Sequence, residues 1–321
     1  MLCLGIESTA HTFAAAVVNE KGKILSDVRD SYTTKTGGII PTEAAMHHKN
    51  VHLNVIKKAL EDSKVNPNNI KLISYSHGPG LGPCLQVGLE AVKDFFSSLK
   101  AEVIGVNHCL AHLTSGLLFT KAQDPVFIFT SGANTQIIAF EDRKYRIFGE
   151  TLDIGLGNAL DKFGRVIGLG FPSGPLIENL AKTGKYIPLP YSVKGMDLTF
   201  SGIVTAAINL FKKGAKKEDL CFSIQETFFS MLTEVVERAM AHTEKKEALL
   251  IGGVAANRRL CEMLGIMCRE RKARFFSVPL QYAGDNAVMI AWEGLRAYAA
   301  GKSSKEQLSI KPYERVDEVV I

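Results

Sequence analysis

The amino-acid sequence predicts an α/β protein in which one plan, β-β-β-α-β-α-β-α, is used twice, with a mainly helical insertion in the second copy. Three observations predict this. Short apolar runs alternate with stretches of helical period in the same order in both halves. Glycine-containing turns fall at corresponding places, between the first two strands of each half, at residues 5–12 and 131–135. The helical stretch that follows the third strand is far longer in the second half than in the first.

In the first half, residues 2–6, 13–18 and 23–31 read as strands, and 42–62 as a helix. A strand at 72–76 runs into a Gly/Pro loop and a helix at 84–99; a strand at 103–106 then leads into a helix from His108. In the second half, strands fall at 126–130, 136–140 and 145–151. A long helical section covers 157–242, followed by strand 248–251, helix 257–269, strand 274–278 and helix 286–300. The expected lobes are 1–125 and 126–321, with the insertion at about 157–243 and the last helix packing back on the first lobe. Two such lobes facing each other make a cleft.

The chain has 321 residues, 46% hydrophobic and 22% charged, enough for folded lobes with substantial cores. No run of about 18 apolar residues occurs, so no membrane partner is expected. A strand-like opening without a basic leader reads as cytoplasmic. The six cysteines form no CxxC pair and read as reduced, buried thiols. A net charge of +5 is too mild to establish a nucleic-acid partner. The basic residues Arg258, Arg259, Arg269, Arg271, Lys272 and Arg274 fit either a phosphate-facing surface or a solvated helix.

The most informative stretch is Asn107-His108-Cys109-Leu110-Ala111-His112. On a helix, His108 and His112 lie one above the other on one face and can hold one divalent metal. The alternative is a helix cap and a packing residue. Cys109 stands where the HExxH protease arrangement needs its glutamate base, which excludes that chemistry, and on a helix it points about 100° away from His108. Asp285, at the start of the last long helix, is either its N-cap or a carboxylate ligand.

Other loops carry weaker signals. His77-Gly78-Pro79-Gly80-Leu81-Gly82-Pro83 is a rigid loop after a strand, a place where α/β proteins build sites, or a plain tight connection. The run Phe129-Thr130-Ser131-Gly132-Ala133-Asn134-Thr135 offers small and polar groups to an anion, or is an ordinary hairpin. Asp153 and Asp161 fall near the start of a helix, where carboxylates stabilise the N-terminus, and Asp161 is alternatively a contact to a ribose or ligand hydroxyl. Pro172-Ser173-Gly174-Pro175 opens a helix with Glu178 one turn in. In Gly252-Gly253-Val254-Ala255-Ala256-Asn257, small residues admit a flat ring and Asn257 can read a base edge, or the glycines serve close packing.

Taken in order, residues 80–83, 106–112, 131–136, Lys194-Gly195-Met196-Asp197 with Phe200-Ser201-Gly202, 252–257 and 284–287 resemble the universal tRNA threonylcarbamoyladenosine-forming family, formerly taken for an O-sialoglycoprotein endopeptidase. Its archaeal and eukaryotic branch is the catalytic subunit of the KEOPS complex. The resemblance covers residues 1 to about 300. It implies the fold of actin, Hsp70-type ATPases and sugar kinases, two duplicated lobes around a nucleotide cleft. It implies transfer of threonylcarbamoyl from threonylcarbamoyl-AMP to the exocyclic amine of the adenosine beside the anticodon in tRNAs reading ANN codons.

By the same resemblance, His108, His112 and Asp285 bind one divalent metal, Fe2+ first, with Zn2+ and nucleotide-bound Mg2+ as alternatives. Phe129, Thr130, Ser131, Gly132 and Ala133 form the substrate loop, and Asp161, Gly174, Glu178 and Asn257 contact the nucleoside part. Implied partners are tRNA, threonylcarbamoyl-AMP or an adenine nucleotide, a small atypical kinase/ATPase and a small dimerising subunit. Two residues depart from the family pattern. Phe129 stands where a metal-ligating tyrosine is usual, which implies a weaker site completed by water, and Ala133 replaces the second of two glycines. The competing readings are an ATPase of the sugar-kinase or Hsp70 type and a tRNA-binding scaffold with a decayed metal site.

Overall fold

The computed structural model describes residues 1–34, 38–96, 101–302 and 308–320. Its elements begin with β1 (Leu2–Glu7), β2 (Thr12–Asn19), β3 (Ile24–Ser31), α1 (Pro41–Ser63), β4 (Ile70–Gly78), α2 (Gly82–Phe96), β5 (Glu102–Asn107) and α3 (His108–Phe119). They continue with β6 (Val126–Thr130), β7 (Thr135–Glu141), β8 (Lys144–Glu150), α4 (Leu156–Val166), α5 (Gly174–Ala181), β9 (Val193–Lys194), β10 (Asp197–Leu198), α6 (Ser201–Lys212) and α7 (Lys217–Thr243). Then come β11 (Glu247–Ile251), α8 (Arg258–Glu270), β12 (Arg274–Ser277), α9 (Leu280–Ala283) and α10 (Ala287–Ala299). A 3-10 turn, Gly253–Ala256, joins β11 to α8.

The expected strands are present, with ends shifted by at most two residues. The helix expected at 84–99 has its last three residues outside the described ones. The expected helical section is four helices and a two-stranded ribbon, β9 with β10. Pro172, Pro188, Pro190, Gly195 and Gly214 account for the breaks, because proline removes a backbone donor and glycine disfavours the helix interior.

The chain divides into two compact units: unit 1 comprises Met1–Thr33, Ile39–Leu118 and Asp285–Ile321, and unit 2 comprises Thr34–Gly38 and Phe119–Gly284. Each holds one five-stranded sheet. The orders, β3-β2-β1-β4-β5 and β8-β7-β6-β11-β12, are the same topology. In both, the first three strands pair antiparallel and the last two join in parallel.

In unit 1, alternation along β1 sorts side chains between two helical layers. Leu4 and Ile6 join Val55, Ile56 and Ala59 of α1 in one core. Gly5 faces α10, where a Cβ would lie 2.3 Å from the Ala287 carbonyl oxygen, so α10 rests directly on the strand. Glu7 shares the parity of Gly5 and is fully buried. In unit 2, α7 packs on β6, β7, β8 and β11, and its Phe228, Phe229, Leu232 and Val236 belong to one large core with Val126, Ile128 and Leu250.

Candidate functional site

In unit 1, β5 ends in Asn107, whose Oδ1 accepts the backbone N–H of Leu110 at 3.0 Å. Asn107 thus takes the N-cap of α3. His108 is relieved of that task, and its ring meets His112 edge-on with centroids 4.7 Å apart. At the start of α10, Asn286 supplies the cap by accepting the N–H of Met289 at 3.0 Å. Asp285 turns instead toward the two imidazoles: its Oδ1 lies 3.5 Å from His108 Nε2 and 3.3 Å from His112 Nε2. One donor atom from each residue lies within 4.8 Å of the others.

The donor set fits a divalent metal. Ligands at about 2.1 Å around a tetrahedral ion stand roughly 3.4 Å apart, close to both nitrogen–oxygen separations. Two imidazoles and one carboxylate leave positions open, as in catalytic sites.

The sequence reading missed Glu7. Its Oε2 lies 3.0 Å from His108 Nδ1, and its other oxygen accepts from the backbone and hydroxyl of Thr9. A carboxylate on Nδ1 fixes the tautomer that presents Nε2 to a ligand. The available signal was an acidic residue closing a buried strand. Burial opposes the His108 imidazolium, but Glu7 and Asp285 outweigh it and push the ring up to about 9. Burial lowers His112. Burial also opposes the Asp285 carboxylate, yet the His112 hydrogen bond and the charges of His108 and His112 hold it well below the usual range. Burial pushes the Cys109 thiol up to about 12, so it is no ready thiolate. All six cysteines are free thiols.

In unit 2, Phe129 is fully buried on β6, opposite Gln136 and Ile251, and the Thr130 hydroxyl donates to the Ile251 carbonyl at 3.3 Å. The turn after them is closed by Ser131 N–H to the Asn134 carbonyl and Asn134 N–H to Ser131 Oγ. It abuts the start of α4, where Gly157 and Asn158 donate to the carbonyls of Ser131 and Gly132. Neither Gly132 nor Ala133 has a positive φ, so the alanine introduces no backbone strain.

Asp161, Glu178 and Asn257 each hold a neighbour. Asp161 accepts the N–H of Ser173, just before Gly174 begins α5, and burial raises its pKa. Glu178 accepts the N–H of Arg258 at 2.9 Å. Asn257 caps α8 through Leu260 and donates to Gln225. Asp153 serves the first turn of α6 by accepting from the N–H groups of Phe200 and Ser201. In the basic stretch, Arg259 pairs with Glu226 and Glu262, Arg271 with Glu237 and Arg274 with Glu247. Among the described residues, Arg258, Arg269 and Lys272 make no ion pair with a carboxylate, which leaves fewer charges to offer phosphates than the sequence suggests.

The family description "tRNA N6-adenosine threonylcarbamoyltransferase" matches residues 23–292. The chain belongs to that family. A transferase of that name from Thermococcus sibiricus is 50% identical over 324 residues, covering 100% of this chain and 99% of the relative. A probable bifunctional tRNA threonylcarbamoyladenosine biosynthesis protein from Methanothermobacter thermautotrophicus is also 50% identical, and this chain covers 60% of it. Solved structures share the fold at low identity. Full-length HypF in its phosphate- and nucleotide-bound form has a TM-score of 0.63 at 12% identity, covering 94% of this chain and 47% of that one. A ROK family glucokinase from Streptomyces griseus has a TM-score of 0.50 at 14% identity, covering 92% and 100%. The fold is thus of the sugar-kinase type, and family members act on tRNA. Among the described residues, no helix is long and apolar enough to cross a membrane.

Proposed function

We propose that this chain transfers the threonylcarbamoyl group of threonylcarbamoyl-AMP to the exocyclic amine of the adenosine next to the anticodon in ANN-decoding tRNAs, as the catalytic subunit of a KEOPS-type complex in the cytoplasm. The observation that carries it is the convergence of His108, His112 and Asp285 in a member of this family.

In the transfer, the amine nitrogen attacks the carbamoyl carbon of the mixed anhydride. A new N–C bond forms, the C–O bond to phosphate breaks, AMP leaves and the amine loses a proton. His108, His112 and Asp285 hold one divalent ion, with Glu7 keeping the proton of His108 on Nδ1. The two-imidazole, one-carboxylate set favours Fe2+, with Zn2+ or nucleotide-bound Mg2+ as alternatives. When bound, such an ion polarises the reacting oxygen or orients the phosphate.

In unit 2, the turn at the head of α4 offers the backbone N–H groups of Gly132 and Ala133 to the phosphate of the adenylate, the Ser131 N–H being taken by Asn134. Phe129 and Thr130 form the buried base of that loop. Asp161, Gly174, Glu178 and Asn257 contact the nucleoside, and hydrogen bonds to neighbours hold Asp161, Glu178 and Asn257 in place. The tRNA, a small atypical kinase/ATPase and a small dimerising subunit are the partners.

Phe129 cannot ligate a metal, which favours one second reading: a tRNA-binding scaffold with a decayed metal site. The test is threonylcarbamoylation of tRNA by the chain with purified partner subunits and threonylcarbamoyl-AMP. Product formation that His108→Ala abolishes is the expected result. tRNA binding without product overturns the catalytic reading in favour of the scaffold.

A further inference from the structure

After α10 the chain returns to the sheet of unit 1, where Leu308 and Ile310 pack against the core of α1 and β4. The Tyr75 hydroxyl donates to the Ser309 carbonyl at 3.0 Å, Lys311 N–H donates to the His77 carbonyl at 2.6 Å, and Gly80 N–H donates to the Pro312 carbonyl at 3.1 Å. Gly78 permits this close approach: its φ is +146°, and a Cβ there would stand 1.9 Å from the Lys311 carbonyl oxygen.

This anchoring delivers Glu314. Its Oε2 lies 2.6 Å from His77 Nε2 and accepts from Asn107 Nδ2 at 3.1 Å, and its backbone carbonyl accepts from the same Nδ2 at 3.1 Å. Asn107 is 2% exposed. An asparagine amide has a donor end and an acceptor end. With Nδ2 held by two acceptors on Glu314, Oδ1 is directed at Leu110 N–H, the cap of the helix that carries both histidines. His108 is the first residue of the turn that this cap closes. A metal site tolerates only about 0.5 Å of misplacement.

We propose that Glu314 is a positioning residue of the metal centre. It orients the Asn107 amide, which fixes the first turn of α3 and so the placement of His108. This rests on the reading of His108, His112 and Asp285 as a metal site.

The test uses the full chain with Co2+ as probe, read by its visible absorption, together with amide hydrogen exchange at Leu110. Glu314→Ala is expected to weaken Co2+ binding about tenfold, the equivalent of losing a helix cap, to alter the absorption bands and to speed exchange at Leu110. Glu314→Gln keeps an acceptor for Asn107 and restores most of the affinity and the original bands. Lys57→Ala, which removes only the exposed ion pair to Glu61 on α1, changes neither. Unchanged affinity, bands and exchange in Glu314→Ala overturn the proposal. So does equal loss in Glu314→Ala and Glu314→Gln accompanied by an equal fall in thermal midpoint, which marks a merely structural role. If the unaltered chain takes up no Co2+, the metal reading fails by itself, and Leu110 exchange alone decides whether Glu314 positions the helix.

Discussion

Asn286 caps α10, and its neighbour Asp285 is thereby left to face His112 at 3.3 Å. Two adjacent polar residues at one helix start have separate jobs. Replacing each gives opposite results. Asp285→Ala lowers metal affinity more than about 100-fold and leaves α10 capped. Asn286→Ala costs about 1–2 kcal/mol of stability and leaves one metal per chain. Metal analysis of purified protein and thermal denaturation separate the two.

The His108–Glu7 pair sets a pH dependence. The ring titrates at about 9, above its ordinary 6.5. The folded, metal-free chain therefore holds this proton more tightly than the unfolded chain does. Its contribution to stability is complete below pH 6.5 and is lost as pH rises through about 9. Metal binding has the opposite slope, because Nε2 must be available to the ion. Affinity rises between those pH values, with a proton released per ion bound, measurable by calorimetry in two buffers of different ionisation heat. Glu7→Gln lowers affinity about 10–100-fold and flattens that slope.

Asp153 is held down to about 2: burial opposes its charge, but the N–H groups of Phe200, Ser201 and Ile154 and the Ser201 hydroxyl outweigh it. A depressed carboxylate stabilises the fold above its ordinary 3.8, and that contribution disappears as pH falls toward 2. Asp153→Ala is expected to lose about 1 kcal/mol at neutral pH, read by urea unfolding. Metal content stays unchanged, because the proposed metal ligands belong to unit 1.

Phe129→Tyr tests the departure from the family pattern. If the position contributes to the metal site, the variant loaded with Fe2+ and oxidised in air to Fe3+ gains a phenolate-to-iron absorption band. A variant without the band, destabilised by about 1–3 kcal/mol for a buried hydroxyl without a partner, shows that the position has only a packing role.

The succession of strands and helices along the chain was legible because both halves repeat one hydrophobic grammar, so each supports the reading of the other. The histidine pair was legible because helical spacing is local. The sequence left Asp285 open as cap or ligand, and the structure decides it because Asn286 beside it takes the cap. Glu7 was hidden because a single acidic residue after a strand is commonplace, and its partner lies 101 positions away. Asp153 reaches α6 across 47 positions and Glu314 reaches Asn107 across 207, distances that no local pattern encodes. The basic stretch looked freer than it is because its carboxylates sit on α7 and β11.

Unit 1 draws α10 from far along the chain, whereas Phe119–Gly284 of unit 2 is one continuous segment. Asp285 follows His112 by 173 positions. On a ribosome working at about 5–20 residues per second, that gap is roughly 9–35 s. For that interval the nascent polypeptide carries two imidazoles without their carboxylate, while the intervening segment is free to collapse on its own. On the proposed metal reading, ion capture by the complete triad is a late event in biosynthesis, because it waits for the start of α10.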